Sequence, residues 1–543
     1  MKRQITQWFF ILTLLSSALL SPQVRPVAFH LVLGFILLGV LCLLLYSRDD
    51  FQCSFTEIAL FLLVLTFCLS WFYTIHKYHT AIYLVSSITL FLYYLTAKRW
   101  LERNTLIAVA IVLPIIFSLL SLWQYSGGFN QVATLIEKAN ISAEVRQALI
   151  NRINERRVMA TFALPNSFAG YLILLLMLLT GFFLEAKKLK PLIFLSLVLV
   201  LGNLLMTRAL GALISLGAIA FLLVLIRGRA ILKHRFLCLV LILVVLFTLF
   251  EGFSRYSDGL VFNPGDSVFF RALNYRSAWA VFQDNLWLGT GAGSFGDIYQ
   301  KYQLPQANIV RYPHNLPLQI AAEGGGAVLV FFLIFWGYFF GRGWQMSKET
   351  QLFLYLSGVI FFLHNLVDID YNITSISILF WSVLALLLRR DETFRMRLPY
   401  KYSAAAAVVL IVFLSMINLR MYQAEITAKE SRRDQGSQVE LLEKSALFNP
   451  LKPDYQLDLG EIFLNRFLAS NPKDTGLLKR AEQYFSQAVV LAPTVSHYHF
   501  RLGLTQGILR DKESARAELM LAIEYAPLND EYKKILAEVE KIP

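Results

Sequence analysis

The sequence predicts an all-α protein, a polytopic membrane domain of about 12–13 transmembrane helices followed by a C-terminal helical-repeat domain. Three observations carry this. Of 543 residues, 57% are hydrophobic and 16% charged, where a soluble domain is nearer ~45–50% apolar and ~25% charged. The apolar residues collect into stretches close to the ~20 residues that cross about 30 Å of hydrocarbon. Residues 421–543 break that pattern and repeat. The composition excludes a disordered chain, a small disulfide scaffold and an ordinary soluble enzyme. The net charge of +13 would suit nucleic acid on a soluble protein. On an apolar chain it reflects basic loops that set membrane orientation, so no nucleic-acid partner is expected.

Thirteen spans are expected, at 5–21, 27–46, 56–75, 79–97, 105–123, 165–184, 191–207, 209–226, 235–252, 317–340, 351–367, 374–388 and 403–420. Only Thr207 and Arg208 separate the seventh from the eighth. The first follows Met1-Lys2-Arg3-Gln4 without a small-x-small cleavage site, so it is expected to stay as an anchor. With the N-terminus inside, the short inner loops hold 20 Lys and Arg, and the short outer loops hold Arg25, Lys77 and Arg208 alone. This is a positive-inside pattern. It puts the long loops 124–164 and 253–316, and the C-terminal tail, on the outer face of the membrane. The four cysteines, Cys42, Cys53, Cys68 and Cys238, have neither disulfide nor metal-ligand spacing.

The domain boundary is expected near residue 420, with 1–420 in the membrane and 421–543 as the repeat domain. The tail holds 16 basic and 18 acidic residues, against 34 and 19 in the membrane part. Leu502-Gly503, Ala515, Leu519, Ala522 and Pro527 fall at tetratricopeptide spacing, and Ala481, Phe485, Ala488 and Pro493 repeat its second half. Pro493 and Pro527 are 34 residues apart, the period of that repeat. About three such units are needed to bury their own faces, and the tail holds roughly two and a half. It is therefore expected to lean on its last span, on the membrane domain or on a partner.

The 253–316 loop is polar and glycine-rich, which is poor use of chain between spans unless it does something. Gly291-x-Gly293-x-x-Gly296 formally matches a dinucleotide fingerprint. No strand precedes it and no βαβ unit surrounds it, so a tight turn packed closely on its neighbours is the better account. His314 alone is no evidence of catalysis. Arg208 is accounted for by snorkelling at the interface, and Arg271 and Arg276 by pairing with Asp266 or Asp284. Together they suit one chemistry. Guanidinium groups hold a lipid-linked pyrophosphate in planar forks at any working pH, and imidazole takes a proton from an attacking hydroxyl. No metal is required if arginines meet the leaving-group charge. His364-Asn365-x-x-Asp368-x-Asp370 is not a standard ligand set and is expected to form a polar cap on the cavity.

Four segments now carry a resemblance. They are Arg157-Val-Met-Ala160-Thr161-Phe162-Ala-Leu-Pro165-Asn166, Met206-Thr207-Arg208-Ala209-Leu-Gly211, Arg271-x-x-x-Tyr275 through Leu288-Gly289-Thr-Gly291-Ala-Gly293-Ser-Phe295, and Pro313-His314-Asn315 through Glu323-Gly324. Over roughly 157–370 the chain resembles the bacterial O-antigen ligase and O-antigen polymerase superfamily, whose relatives include protein O-oligosaccharyltransferases. Ala160 stands where that family usually has glycine, Thr207 where it has serine, Ala209 where it has glycine, and Tyr275 where it has tryptophan.

The resemblance implies a multi-span, inverting, metal-independent glycosyltransferase without cofactor. It would move a glycan from undecaprenyl pyrophosphate to a hydroxyl on the outer side of the inner membrane. His314 matches the family's base. Arg208 and Arg271 match the arginines that hold the pyrophosphate, and Arg276 is a neighbour without a clear counterpart. Arg157, Asn166, Asn315 and Glu323 fall in the matching motifs and are taken as substrate-binding. The acceptor would be a lipid-A core sugar, another glycan or a protein hydroxyl. The amphipathic stretch 131–155, with Arg146, Arg152, Arg156 and Arg157 in or beside it, is expected to lie at the interface and gate access of the lipid. The repeats are expected to offer a surface to an acceptor or protein partner. A solute transporter predicts repeat symmetry or paired half-spans, and neither is seen. A membrane-tethered scaffold leaves the outer arginines and His314 without purpose.

Overall fold

A computed structural model describes residues 2–22, 25–46, 51–138, 143–231, 246, 267–342, 349–390 and 396–542. Among them, strand is limited to two three-residue segments, Phe51–Cys53 and Met396–Leu398, and the rest of the regular structure is helical, which fits an all-α membrane protein. Among the described residues, eight helices are long and apolar enough to cross a membrane: Pro26–Tyr46, Phe55–Phe72, Lys77–Trp100, Arg103–Glu137, Pro165–Glu185, Lys190–Thr207, Leu316–Gly341 and Tyr400–Ser431. Each coincides with one of the thirteen expected spans.

The other five expected spans fare differently. Helix α1 (Lys2–Leu19) forms, but Lys2, Arg3, Gln4 and Gln7 dilute its apolar length. Among the described residues, Leu210–Leu223, Thr350–His364 and Thr374–Leu387 are shorter apolar stretches. The first continues as helix to Ile231, 22 residues in all, while Thr374–Leu387, at about 1.5 Å per residue, falls short of 30 Å. The span expected at 235–252 lies outside the described residues but for Leu246, as does the loop from 253 to 266.

The chain divides into two compact units. The first comprises 1–49, 90–261 and 337–396. Its described elements are α1, α2 (Pro26–Tyr46), α5 (Arg103–Trp123), α6 (Phe129–Glu137), α7 (Ala143–Asn154), α8 (Pro165–Glu185), α9 (Lys190–Thr207), α10 (Leu210–Ile231), α14 (Glu349–His364) and α15 (Thr374–Leu387). Helix α8 is apolar on every side, the mark of a helix with no solvent face, and Ser167 through Phe182 are all buried. It packs on α9, α14 and α15. Small residues set the approach, since a Cβ on Gly181 would lie 2.7 Å from Phe353 Cβ.

The second unit comprises 50–89, 262–336 and 397–543. It holds α3 (Phe55–Leu69), the start of α4 (Lys77–Trp100), α11 (Ser267–Asp284), the short α12 (Phe295–Ile298) and most of α13 (Leu316–Arg342). Helix α16 (Tyr400–Ser431) then runs from an apolar first half into a polar second half, where Ala424 and Ala428 pack on Leu442, Tyr455 and Leu459. Six further helices follow: α17 (Gln438–Phe448), α18 (Pro453–Ala469), α19 (Thr475–Leu491), α20 (Ser496–Ile508), α21 (Lys512–Tyr525) and α22 (Asp530–Val539). They form helical hairpins, with Phe463, Phe467, Leu478, Ala481 and Phe485 in one core and Phe500, Ala515, Leu519, Ala522 and Tyr532 in another. Gly460 admits the Phe485 ring, which a Cβ would meet at 2.5 Å. Asp474, Asp511 and Asn529 cap α19, α21 and α22 by accepting a backbone N–H, which satisfies donors that a helix start leaves orphaned.

Candidate active site

The expected site residues fall into two groups, one in each unit. In the first unit, Arg208 caps the C-terminus of α9 in the left-handed region, at φ 50°. A non-glycine residue there costs about 1 kcal/mol or more and persists when its surroundings over-determine it. Three contacts do so. Arg157 Nε donates to the Thr207 carbonyl at 2.8 Å, the Val158 N–H donates to Met206 O, and the Thr207 hydroxyl accepts from the Ala209 N–H. Arg157 Nη2 also donates to Asn166 Oδ1 at 2.6 Å. Arg157 and Asn166 thus brace the turn that presents Arg208, whose side chain is exposed. Ala160 has φ 46°, the conformation for which glycine is suited.

Close to that turn, a Cβ on Gly211 would lie 3.6 Å from His364 Nε2. His364 Nδ1 is hydrogen-bonded to Asp370 Oδ2 at 2.6 Å, and both side chains are fully buried. Burial pushes the Asp370 carboxyl up and His364 draws it back down. Gly170 leaves room for it, because a Cβ there would sit 2.4 Å from Asp370 Oδ1. The polar cap expected at 364–370 is therefore a buried pair, with Asn365 Oδ1 taking the Tyr371 N–H and Asp368 Oδ1 the Ile369 N–H.

In the second unit, α11 carries Arg271 and Tyr275 one turn apart on one face. The Tyr275 hydroxyl donates to the His314 carbonyl at 3.1 Å. Arg276 lies about 140° further round at ~100° per residue and is exposed. Tyr299 strengthens the same face, its hydroxyl reaching Asn274 Oδ1 at 2.6 Å and Asn308 O at 2.9 Å. His314 has φ 58° and lies just before α13. Asn315 caps that helix, its Oδ1 accepting from the Leu318 N–H at 3.0 Å. Expected as a substrate contact, Asn315 has in this structure the work of a cap.

Glu323 is likewise fully buried and holds protein. Its Oε2 accepts from the Gly293 N–H at 2.9 Å and its Oε1 from the Phe295 N–H at 3.3 Å. The glycine run explains why. Helix α13 breaks at Gly325, with φ 66° and ψ −169°. Its Ala322 and Glu323 carbonyls then accept from the Thr290 and Gly291 N–H groups, while the Gly326 N–H donates to Leu286 O. These three bonds pair backbone groups that the break in the helix leaves without an intrahelical partner. A Cβ at Gly289 would lie 2.4 Å from the Glu323 carbonyl carbon, and one at Gly291 would lie 2.2 Å from Thr74 Oγ1. The Gly-x-Gly-x-x-Gly segment is a close-packed turn.

Sequence reasoning passed over a polar cluster here. His79 Nδ1 is hydrogen-bonded to Asp297 Oδ2 at 2.8 Å, and His76 stacks on His79 at 3.9 Å and 22°. Burial pushes the Asp297 carboxyl up to about 6, opposed by His76 and Arg311. Burial, with His79 and Arg311 adding to it and Asp297 opposing, holds the His76 imidazole down to about 4. Among the described residues, these three side chains are the one group near enough to share a metal ion. Within the protein they are joined by hydrogen bonds, His79 to Asp297 and the His79 backbone N–H to His76 Nδ1 at 3.4 Å.

Residues 195–333 match the family model described as O-antigen ligase. The matched segment contains Arg208, Arg271, Arg276, His314, Asn315 and Glu323, while Arg157 and Asn166 precede it. At the level of family, the match supports a membrane glycosyltransferase of the O-antigen ligase or polymerase type. A lipid-linked glycan donor and a glycan acceptor go with that family in general. No curated protein matches the chain.

Proposed function

We propose that the protein moves an undecaprenyl-pyrophosphate-linked oligosaccharide or polysaccharide to an acceptor hydroxyl on the outer side of the inner membrane. His314 takes the proton of the acceptor hydroxyl, the acceptor oxygen bonds to the anomeric carbon with inversion, and the bond to pyrophosphate breaks. Arg208 and Arg271 bind the departing pyrophosphate, Arg276 follows Arg271 on the same helix as a further substrate contact, and Arg157 and Asn166 brace the turn that carries Arg208. Asn315 and Glu323 serve the site by fixing the chain on either side of His314. The reaction needs no metal in this scheme, because guanidinium groups meet the developing charge. Residues 421–543 are tetratricopeptide-type repeats on the outer face, and the N-terminus is cytoplasmic. Ligase, polymerase and protein oligosaccharyltransferase share this chemistry and differ in the acceptor hydroxyl.

The observation that carries the proposal is the bond from Tyr275 to the His314 backbone. It ties the helix bearing Arg271 to the candidate base, inside the segment that matches the family model. The test is His314→Ala in a purified transfer assay with lipid-linked glycan. General-base catalysis contributes about 10²–10⁴-fold, so transfer should fall by at least about a hundredfold. Full activity at normal expression would remove His314 from the mechanism.

A further inference from the structure

The C-terminal hairpins bond directly to the segment that leads into His314. Within the second unit, the Ser496 hydroxyl donates to Gln300 Oε1 at 2.9 Å. Lys301 Nζ pairs with Glu524 Oε1 at 2.7 Å and lies 5.4 Å from the Tyr525 ring. Tyr525 also packs on the core formed by Ala278, Val281, Phe295, Ile298, Tyr299, Val310 and Ala322. That core draws on α11, the turn after the glycine run, the approach to His314 and the first turns of α13. Tyr525 is itself held from behind. It stacks on His499 at 5.6 Å, and His499 is fixed by Glu518 at 2.6 Å and the Pro493 carbonyl at 2.8 Å.

From this contact a continuous path of bonds runs to the candidate site. Gln300 and Lys301 belong to the 3₁₀ turn Tyr299–Tyr302. Tyr299 bonds Asn274 and the Asn308 carbonyl, and Asn274 Nδ2 reaches Asn308 Oδ1 at 3.3 Å. Asn274 is flanked on α11 by Arg271 and Tyr275, and Tyr275 holds the His314 carbonyl. A short turn with few contacts of its own opens easily, whereas one pinned from both sides does not. Here the second side is supplied by the tail.

We propose that Ser496, Glu524 and Tyr525 are positioning residues. They clamp the Tyr299–Tyr302 turn and thereby set the register of Arg271 against His314. What is positioned rests on the transferase reading, but the clamp itself does not. The tail is on this account a working part of the site, beyond any part it plays as a recruiting surface.

Hydrogen exchange on the full chain in lipid nanodiscs tests the clamp without any substrate. Tyr525→Ala should speed exchange across 299–314 by roughly three- to tenfold, as expected from losing about half of an aromatic side chain's burial free energy. Protection in α18 and α19 should be unchanged, which shows that the tail stays folded. Lys301→Glu and Glu524→Lys should each speed exchange in the same window by a smaller factor, and the double exchange should restore it. Unchanged exchange over 299–314 in Tyr525→Ala, with α18 and α19 still protected, would overturn the proposal. So would failure of the charge reversal to restore protection. In the transfer assay the same variants should lower kcat with KM for the donor little changed. A wild-type protein without transfer activity would defeat the transferase reading, leaving the exchange result to decide the clamp.

Discussion

Asp297→Asn and His76→Gln should tilt the stability of the second unit with pH in opposite directions. Asp297 is 8% exposed in its side chain, and its carboxyl is pushed by burial from 3.8 up to about 6. Between those values the folded state binds more protons than the unfolded state. Stability therefore falls as pH rises through that window. His76 is 1% exposed, and burial holds it at about 4 in place of 6.5. Between 4 and 6.5 its folded state binds fewer protons than the unfolded state, so its contribution to stability rises with pH. At about 1.36 kcal/mol per pKa unit, each effect amounts to about 3 kcal/mol across its window. The two oppose within the intact protein, where His79 is bonded to Asp297 as well, so each variant is read against the parent's slope. Asp297→Asn removes the falling contribution, and stability should climb more steeply than the parent's from about pH 4 to about pH 6.5. His76→Gln removes the rising contribution, together with the His76 field that lowers the carboxyl's pKa, and its slope should lie below the parent's over the same range. Thermal midpoints in one detergent at matched ionic strength measure this. Slopes displaced from the parent's in the same sense in the two variants would refute the reasoning, whatever their absolute midpoints.

Gly291→Ala should cost about 2–5 kcal/mol, from a positive φ of 106° and a clash with Thr74; a thermal midpoint equal to the parent's would contradict the close-packed turn. Arg157→Ala should destabilise the first unit by about 2–3 kcal/mol through the unpaired Thr207 carbonyl and Asn166, with Arg157→Lys recovering part of it, as read by thermal unfolding. Arg271→Ala should lower kcat/KM for the lipid-linked donor by about 10²–10³-fold with little loss of stability. Arg271→Lys should recover only part, since a point charge does not reproduce a planar fork. Equal transfer rates for Arg271→Ala and the parent would take Arg271 out of the site.

Much of the fold was legible because it is written in short-range patterns. Eight spans followed from apolar length alone, and the repeat spacing anticipated the small residues at helix crossings, such as Gly460, Ala481, Gly503 and Ala515. The glycine run was legible as a packed turn because no strand preceded it. Its purpose was not. The partners of Gly293 and Phe295 lie about thirty residues away on Glu323, and nothing local marks a buried carboxylate as a holder of loops. A far longer separation hid the cluster of His76, His79 and Asp297, where the bonded pair is 218 residues apart. Arg157 and Asn166 were singled out as substrate-binding residues by the motif they share. Their bonds to each other and to Thr207 are long-range geometry, which spacing does not encode.

These contacts sort the motif residues by what their polar atoms already have to do. Glu323 spends both oxygens on backbone N–H groups, Asn315 caps a helix, and Asn166 is held by Arg157. A buried polar group so engaged cannot turn to a substrate without leaving a donor or acceptor unpaired, at about 1–3 kcal/mol each. Arg208 differs, because the bonds that brace its turn are made through the backbone on either side and the residue is exposed. His314 is alike in kind, since it is held through its carbonyl by Tyr275 and bounded by the cap at Asn315. In both, the local turn is set through backbone groups. That is the arrangement in which a left-handed φ is worth its strain, and Arg208 and His314 both have one.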